Sequence, residues 1–293
     1  MPVRRGPRTA GGEGPADAPA RRAAPRPPGG RPGDPLVDWR GLRVLLSNDD
    51  GIHAPGLAAL AAAFPEDEVW VVAPDREQSA SSHAISLHRP LRLFEVRPRW
   101  WAVDGTPTDA VYMAMNHVLG GLRPDVVVSG INHGPNVGND VLYSGTVAAA
   151  MEGALLGAHA IAVSLASAPP HEFGPAAAFA AALARRLVAS SPDAPTLLNV
   201  NVPPGPVRGF RFASLGIRTY GNAVVENLDP RGRKYYWIGS QAGWRDVPRS
   251  DCNAVFDEGL VAVTPLHLDL TQHAALQELR SWTIPGFAKE PAP

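Results

Sequence analysis

Two adjacent carboxylates, Asp49 and Asp50, follow the apolar run 44–46 and precede Gly51. Adjacent carboxylates repel each other, and a shared divalent cation removes that repulsion. With hydroxyl and amide oxygens from other loops they would form an all-oxygen shell, which suits Mg²⁺, Mn²⁺ or Ca²⁺ better than zinc. The alternative interpretation is that one Asp caps the following helix and the other is solvated.

A second candidate is Ser144-Gly145-Thr146, directly before an alanine-rich segment. The free N–H groups at a helix start favour an anion, and glycine allows its close approach, so this segment predicts a phosphate site. The alternative is an ordinary helix N-cap. The preceding segment 132–139 is rich in amides and glycine, which is typical either of further polar contacts or of a surface loop with many turns.

Several other polar residues lie in the same half of the chain. Arg76 stands between Asp75 and Glu77, so it can neutralise a phosphate or form a local ion pair. Four histidines can act as general acids or phosphate contacts, although no His-x-His or His-x-x-x-His spacing on one helix supports a metal site. These are His53, His83, His88 and His133.

Four common motifs are missing from the sequence. No Gly-x-Gly-x-x-Gly follows the first apolar run, and no Gly-x-x-x-x-Gly-Lys-Ser/Thr loop occurs, which argues against dinucleotides and nucleoside triphosphates. No Gly-x-Ser-x-Gly esterase motif occurs either. An Asp-x-Asp phosphatase motif fails because Gly51 stands two residues after Asp49.

The elements that position these residues alternate between apolar runs and helical patterns. Strands are predicted at 44–46, 69–73, 125–128, 160–165 and 197–202, with a hairpin from 91–96 and 101–103. Helices are predicted at 56–64, 147–156 and 176–189, and a further one runs to about residue 119 from the capping box Thr106-Pro107-Thr108-Asp109. Strands alternating with helices predict an α/β fold with a parallel sheet, whose carboxyl strand ends gather ligands.

Composition divides the chain into a tail and one domain. Residues 1–35 hold 9 Pro and 7 Gly and no aromatic residue, so we predict a disordered tail over 1–38. The domain is predicted over 39–285, with a core at about 42–203 and an irregular β-rich extension at about 204–285 that carries substrate or subunit contacts.

The net charge of the chain bears on the partners that the protein binds, and its single cysteine bears on the cellular compartment. The formal net charge of -1 gives no reason to expect nucleic acid, and no apolar run is long enough to cross a membrane. Cys252 is the only cysteine, which excludes an internal disulfide and indicates a reducing, cytoplasmic location.

Several segments together resemble the SurE family of survival-protein nucleotidases. The resemblance covers about residues 42–271, and its first and fourth stretches are long and specific. The clearest stretches are LLSNDDGIHAPGL (45–57), VVAPDREQSASSHAISL (71–87), DGTPTDAVY (104–112) and DVVVSGINHGPNVGNDVLYSGTVAAAMEGALLG (125–157). Weaker ones are LNVNVP (198–203), DPRGRKYYWIG (229–239) and DEGLVAVTPLHLDLT (257–271).

The resemblance implies a fold and a set of site residues. The fold is α/β, a Rossmann-like three-layer core with a mostly parallel sheet, followed by a C-terminal arm that is exchanged between the subunits of a homodimer or homotetramer. One divalent metal ion per subunit, Mn²⁺ or Mg²⁺, is expected. The implied metal ligands are Asp49, Asp50, Ser79 and Asn132, and the implied phosphate-binding residues are Asn136, Ser144, Gly145 and Thr146.

The resemblance also implies an activity, the metal-dependent hydrolysis of nucleoside 5′-monophosphates, and of 3′-monophosphates in many members. Asp49 and Asp50 are the expected catalytic residues, and the nucleophile is either a metal-activated water or Asp49 itself. Short polyphosphate as substrate and a non-catalytic nucleotide-binding protein are the alternatives. Many relatives carry Arg-Ser-Gly-Ala-Ser-Asn at 78–83, so Gln78 and His83 here put substrate preference in doubt more than reaction class.

Overall fold

The structure is a computed structural model of the chain, and it describes residues 41–167, 169–190, 194–221, 224–238 and 242–289. The predicted disordered tail over 1–38 lies outside the described residues. The predicted domain boundaries therefore stay predictions.

The strands provide most of the architecture. In chain order they are β1 (Arg43–Ser47), β2 (Glu68–Pro74), β3 (Leu93–Arg97), β4 (Trp100–Val103), β5 (Val126–His133), β6 (His159–Leu165), β7 (Leu197–Val202), β8 (Phe210–Phe212), β9 (Arg218–Tyr220), β10 (Val224–Leu228), β11 (Lys234–Ile238), β12 (Ala242–Trp244) and β13 (Val261–Leu266). Nine of them form one sheet in the order β3-β4-β2-β1-β5-β6-β7-β13-β8. From β4 to β7 all neighbours are parallel, while β3 and β13 pair antiparallel with β4 and β7.

Helices connect the parallel strands, as the sequence predicts. They are α1 (Pro55–Ala62), α2 (Pro107–Met113), α3 (Gly145–Leu155) and α4 (Gly174–Ser190), whereas α5 (His273–Leu279) follows the last strand. The predicted capping box opens α2, because the Thr106 hydroxyl accepts from the Asp109 N–H at 3.0 Å and the Asp109 carboxylate accepts from the Thr106 N–H at 2.9 Å. After Met113 the helix continues as a π-helical turn, Ala114–Val118.

The sheet lies between two helical layers, which confirms the α/β three-layer fold. Alternate side chains of β1 face opposite layers: Val44 and Leu46 join the apolar cluster that includes α1 and α4 residues, and Leu45 joins the cluster that includes α2 and α3 residues. Burial on both faces explains why these strands are continuous apolar runs.

Small residues let α3 pack closely on the sheet. A Cβ placed on Gly153 would lie 2.7 Å from Val127 Cγ2 and 2.8 Å from its Cβ. Because such distances are shorter than ordinary van der Waals contact, only glycine permits this approach of α3 to β5.

The C-terminal region is rich in β-structure, as predicted, and two of its strands, β8 and β13, extend the main sheet. β9 pairs with β12, and β10 with β11, in two small antiparallel ribbons. The β10–β11 ribbon is exposed throughout, and α5 has no buried residue. Within the described part of the chain, no helix combines the length and the apolar character that a membrane span requires.

Candidate active site

The turn that carries the two adjacent carboxylates is fixed by Asn48. Its side chain donates to the Gly51 carbonyl at 3.0 Å and accepts from the Gly51 N–H at 3.2 Å. Gly51 has φ +99°, a left-handed conformation that favours glycine. The N-cap of α1 is Ala54, which has no side-chain cap bond, so neither Asp49 nor Asp50 caps the helix and that alternative is wrong.

Asp49 is buried and is held by the first turn of α3. Its Oδ1 accepts a hydrogen bond from the Thr146 hydroxyl at 2.5 Å. Burial raises the pKa of Asp49 to about 6, against the lowering effect of the Thr146 bond, and the nearby charge of Asp50 adds to the rise. The side chain of Thr146, a predicted phosphate-binding residue, thus contacts a carboxylate in this structure.

Asp50 lies nearer the surface than Asp49, and one of its carboxylate oxygens lacks a hydrogen-bond partner among the described residues. Burial raises the pKa of its carboxyl to about 6, and its Oδ1 lies 3.4 Å from His133 Nδ1. Its Oδ2 is buried and has no hydrogen-bond partner among the described residues. A carboxylate oxygen left in this state is a position that a bound cation would satisfy.

The start of α3 comes unusually close to Asp49. Ser144 is the N-cap, because its Oγ accepts from the Val147 N–H at 3.1 Å, so the ordinary capping interpretation holds for this side chain. A Cβ on Gly145 would lie 2.9 Å from Asp49 Cβ and 2.8 Å from Ser81 Oγ. Glycine at this position therefore lets the positive end of the α3 dipole lie beside the carboxylate pair.

A cavity of about 310 Å³ brings most of the predicted site residues together. Its lining includes Asp49, Asp50, Ser79, Asn132, Asn136 and Ser144, whereas Gly145 and Thr146 lie behind it, against Asp49. The Ser79 hydroxyl donates to Glu77 Oε1 at 2.7 Å, and the Asn132 side-chain N–H donates to the Gly134 carbonyl at 2.9 Å.

Asn136 belongs to a buried amide network that sequence reasoning missed. Its N–H donates to Asn201 Oδ1 at 2.8 Å, and its carbonyl accepts from the side chains of Asn199 and Asn201 at 2.8 and 3.0 Å. Its side-chain N–H donates to Ser164 Oγ at 2.8 Å. The signal in the sequence was the Asn-x-Asn pattern inside the otherwise apolar strand 197–202.

One wall of the cavity comes from three residues to which the sequence assigned no role: Asp140, Tyr143 and Tyr220. The Tyr220 hydroxyl donates to Asp140 Oδ1, and Arg218 Nε donates to Asp140 Oδ2 at 3.1 Å. Burial, then the bond to Asp140, raises the pKa of the Tyr220 phenol to about 12, so the hydroxyl stays protonated near neutral pH. The C-terminal region thus contributes a side chain, Tyr220, to the cavity lining.

The candidate histidines are divided among different surroundings. His133 lines the cavity and stacks on His171, with ring centroids 5.0 Å apart. His53 lines a neighbouring cavity of about 340 Å³ that also includes Asp50 and Arg76. His83 Nε2 instead lies 3.0 Å from Glu152 Oε2. Of these side chains, His133 is the one nearest the carboxylate pair.

The donor atoms around this cavity fit a hard divalent cation. No group of three or more His, Cys, Asp or Glu that could hold a metal occurs among the described residues, so carboxylates alone do not complete a shell. Ser79 and Asn132 line the same cavity as Asp49 and Asp50 and add hydroxyl and amide oxygen. Oxygen donors, together with the unpartnered Asp50 Oδ2, fit Mg²⁺ or Mn²⁺.

Comparisons with known proteins show which family the chain resembles and which fold it shares. A family model described as survival protein SurE matches residues 44–222. The chain is 78% identical over 253 residues to the 5′-nucleotidase SurE of Anaeromyxobacter sp. (strain Fw109-5), covering 86% of this chain and all of that protein. It is 58% identical to the 5′-nucleotidase SurE of Myxococcus xanthus (strain DK1622), over 84% of this chain and 95% of that one. The crystal structure of a SurE protein from Aquifex aeolicus superposes with a TM-score of 0.72 at 36% identity, over 81% of this chain and 98% of that chain.

Proposed function

The chain belongs to the SurE family, and we propose that it is a divalent-metal-dependent 5′-nucleotidase that hydrolyses nucleoside 5′-monophosphates to nucleoside and phosphate. We extend the proposal to nucleoside 3′-monophosphates. The relatives named 5′-nucleotidase support the reaction class. The metal requirement and the 3′ activity need direct measurement of phosphate release.

The observation that carries the proposal is the packing of the α3 start against the carboxylate pair. The helix is 11 residues long, and its first residue, Gly145, leaves no room for a side chain beside Asp49. The positive end of a helix dipole favours an anionic group, while carboxylates favour a cation. A cavity bordered by both a helix start and two carboxylates suits a phosphate ester bound together with a divalent metal ion.

The chain's own side chains would orient the substrate. The Thr146 hydroxyl holds Asp49 in one position, and the asparagine network holds Asn136 at the cavity lining. We propose that Asn136 and the first turn of α3, with Ser144 as its cap, bind the phosphate oxygens. The oxygen that attacks phosphorus comes either from water or from Asp49.

We propose Asp49, Asp50, Ser79 and Asn132 as the residues that hold the metal ion. When bound, a divalent cation there would neutralise the negative charge that develops on the phosphoryl oxygens during transfer. Burial of both carboxyls, which disfavours their charged forms, is consistent with a site that is complete only with a cation.

The test is phosphate release from AMP, GMP, 3′-AMP and short polyphosphate in the presence of Mn²⁺, Mg²⁺ or EDTA. Asp50→Asn is measured beside the wild type, with Asp246→Asn as the matched control, because Asp246 is an exposed carboxylate that lies outside the cavity. We expect release from nucleotides to require metal, to fall by at least about 100-fold in Asp50→Asn, and to persist in Asp246→Asn.

Other results would change the proposal in defined ways. Release from polyphosphate but from no nucleotide would establish the alternative substrate class. Nucleotide binding without release, by protein that is folded, would establish a binding protein. Trapping of a phospho-enzyme would identify Asp49 as nucleophile, and incorporation of solvent oxygen without a burst would identify water.

We propose in addition that the chain forms a homodimer or homotetramer through the β10–β11 ribbon and the C-terminal segment. The ribbon exposes large apolar side chains, among them Trp237 at 64% and Ile238 at 89% exposure. Light scattering should give a multiple of the chain mass, and the double variant Trp237→Ser/Ile238→Ser should give a smaller one. A monomeric wild type at micromolar concentration would refute this part.

We place the protein in the cytoplasm, because its one cysteine, Cys252, is buried as a free thiol. Fractionation of cells that express the full chain would test this location.

A further inference from the structure

Two tyrosines line the site cavity, on the wall that the C-terminal region helps to build. Tyr143 directly precedes the α3 cap Ser144, and its side chain is 63% exposed. Tyr220 ends β9, some 77 residues later in the chain, and is 48% exposed. Exposed aromatic side chains that line a polar cavity indicate a ligand with an apolar, flat part.

Tyr220 is held at this wall before any ligand arrives. Its hydroxyl is bonded to Asp140, and Asp140 is in turn fixed by Arg218 Nε at 3.1 Å. Such a ring loses little conformational entropy when a flat group stacks on it, since it is already oriented. Asp140 and Arg218 hold Tyr220, whereas Thr146 holds Asp49. The contacts that orient the tyrosine are therefore separate from those that orient the carboxylate pair.

The segment under the wall is itself tied to the body of the site. The buried Asp251 carboxylate accepts from the Gly138 N–H at 2.8 Å and from the Gly216 N–H at 2.7 Å. Gly138 begins the 3₁₀ segment that leads to Tyr143, and Gly216 precedes β9. One carboxylate therefore links the backbone segments that carry the two tyrosines.

We propose that Tyr143 and Tyr220 form the nucleobase subsite of this enzyme. The inference rests on the proposed function, because a phosphate bound at the start of α3 would lie beside Ser144, which directly follows Tyr143 and lines the same cavity. The rest of a nucleotide then extends along the tyrosine wall, where the base stacks on an aromatic face. Every nucleobase has such a face, so this subsite distinguishes nucleotides from phosphate esters without a base.

The experiment compares AMP with ribose 5-phosphate, which has the phosphate and sugar but no base. Tyr143→Leu and Tyr220→Leu remove the ring, and Tyr220→Phe keeps the ring but removes the bond to Asp140. We expect kcat/KM for AMP to fall about 5- to 100-fold in the Leu variants, the range expected for lost base stacking, and to fall less in Tyr220→Phe. The kcat/KM for ribose 5-phosphate and the inhibition constant of inorganic phosphate should change by less than about 3-fold, because neither ligand carries a base.

Each outcome decides between two statements. An equal loss for AMP, ribose 5-phosphate and inorganic phosphate would overturn the subsite and make the tyrosines structural. Unchanged AMP hydrolysis in both Leu variants would overturn it as well. A wild type that hydrolyses neither ester would instead overturn the proposed function, so the two failures are distinguishable. Melting temperatures of all variants show whether each protein is folded.

Discussion

Replacing Gly145 by alanine tests whether the helix start must touch the carboxylate pair. The added Cβ would lie 2.8 Å from Ser81 Oγ, 2.9 Å from Asp49 Cβ and 3.0 Å from Asp49 Oδ2. An ordinary contact begins near 3.4 Å, so Asp49 or the helix must move by about 0.5 Å, the difference between 3.4 and 2.9 Å. Catalytic groups need positions within about 0.5 Å, and misplacement by about 1 Å can cost about 100-fold in rate.

We therefore expect kcat/KM for AMP to fall about 10- to 100-fold in Gly145→Ala. The fold should remain, because the overpacking cost of about 1–3 kcal/mol is partly offset by the gain of up to about 1 kcal/mol that alanine makes over glycine in a helix. The matched control is Gly174→Ala. Gly174 also begins a helix, and a Cβ there meets nothing within 4 Å.

The assay is steady-state phosphate release with saturating Mn²⁺, combined with thermal melts of both variants. Equal kcat/KM in Gly145→Ala and Gly174→Ala would refute the reasoning that this close approach positions Asp49. A loss of activity accompanied by unfolding of Gly145→Ala at the assay temperature would refute it too, because the effect would then be one of stability.

Three further changes test other parts of the structure. Thr146→Val leaves a buried oxygen of Asp49 without its hydrogen-bond donor, so we expect the free energy of unfolding in urea to fall by about 1–3 kcal/mol and kcat/KM to fall as well. Thr146→Ser should restore both quantities. No change in Thr146→Val would contradict the role of the hydroxyl. Gly153→Ala forces a Cβ against Val127 and should lower the free energy of unfolding by about 1–3 kcal/mol, while the activity per folded molecule stays unchanged. An unfolding free energy equal to that of the wild type would show that α3 can shift away from the sheet and would contradict this prediction. Burial lowers the pKa of His159 below its usual 6.5, so the folded state favours the neutral ring, and this contribution is present above pH 6.5 and lost as the pH falls towards the folded-state pKa. Urea melts at about pH 7.5 and pH 5 should therefore show a larger acid loss in the wild type than in His159→Asn, and equal losses would contradict the assignment.

The main sheet could be predicted because the burial of each strand is reflected in the apolar pattern of its own residues. Strands such as β1 and β6 are buried on both faces, so each contains an apolar run, and Thr106 with Asp109 marks a helix start within four residues. The carboxylate pair could be placed for a related reason: in a parallel sheet, the residues directly after a buried strand lie at the ligand-binding edge.

The wall of the cavity could not be predicted, because it depends on contacts between distant parts of the chain. Tyr220 meets Asp140 across 80 residues, and Asp251 meets Gly138 across 113 residues. Thr146 shows the same limit, since the sequence predicted a phosphate contact for the helix start that includes this residue but gave no sign that its hydroxyl meets Asp49, 97 residues away along the chain.

Buried oxygens without a partner lie beside the carboxylate pair, and their position supports a ligand-binding edge. Within the part of the chain that the structure describes, they include the side-chain oxygens of Ser47, Ser129 and Ser81 and one oxygen of Asp50. Ser47 and Ser129 are register partners on β1 and β5, next to the turn that carries Asp50. Each such oxygen costs about 1–3 kcal/mol when it stays unsatisfied. Apolar residues fill the positions directly before these serines, 44–46 in β1 and 126–128 in β5, so a chain selected for stability alone would continue them here. Unpaired polar atoms at this edge are therefore what the proposed cation and substrate would contact, and those contacts would offset a cost that packing alone does not.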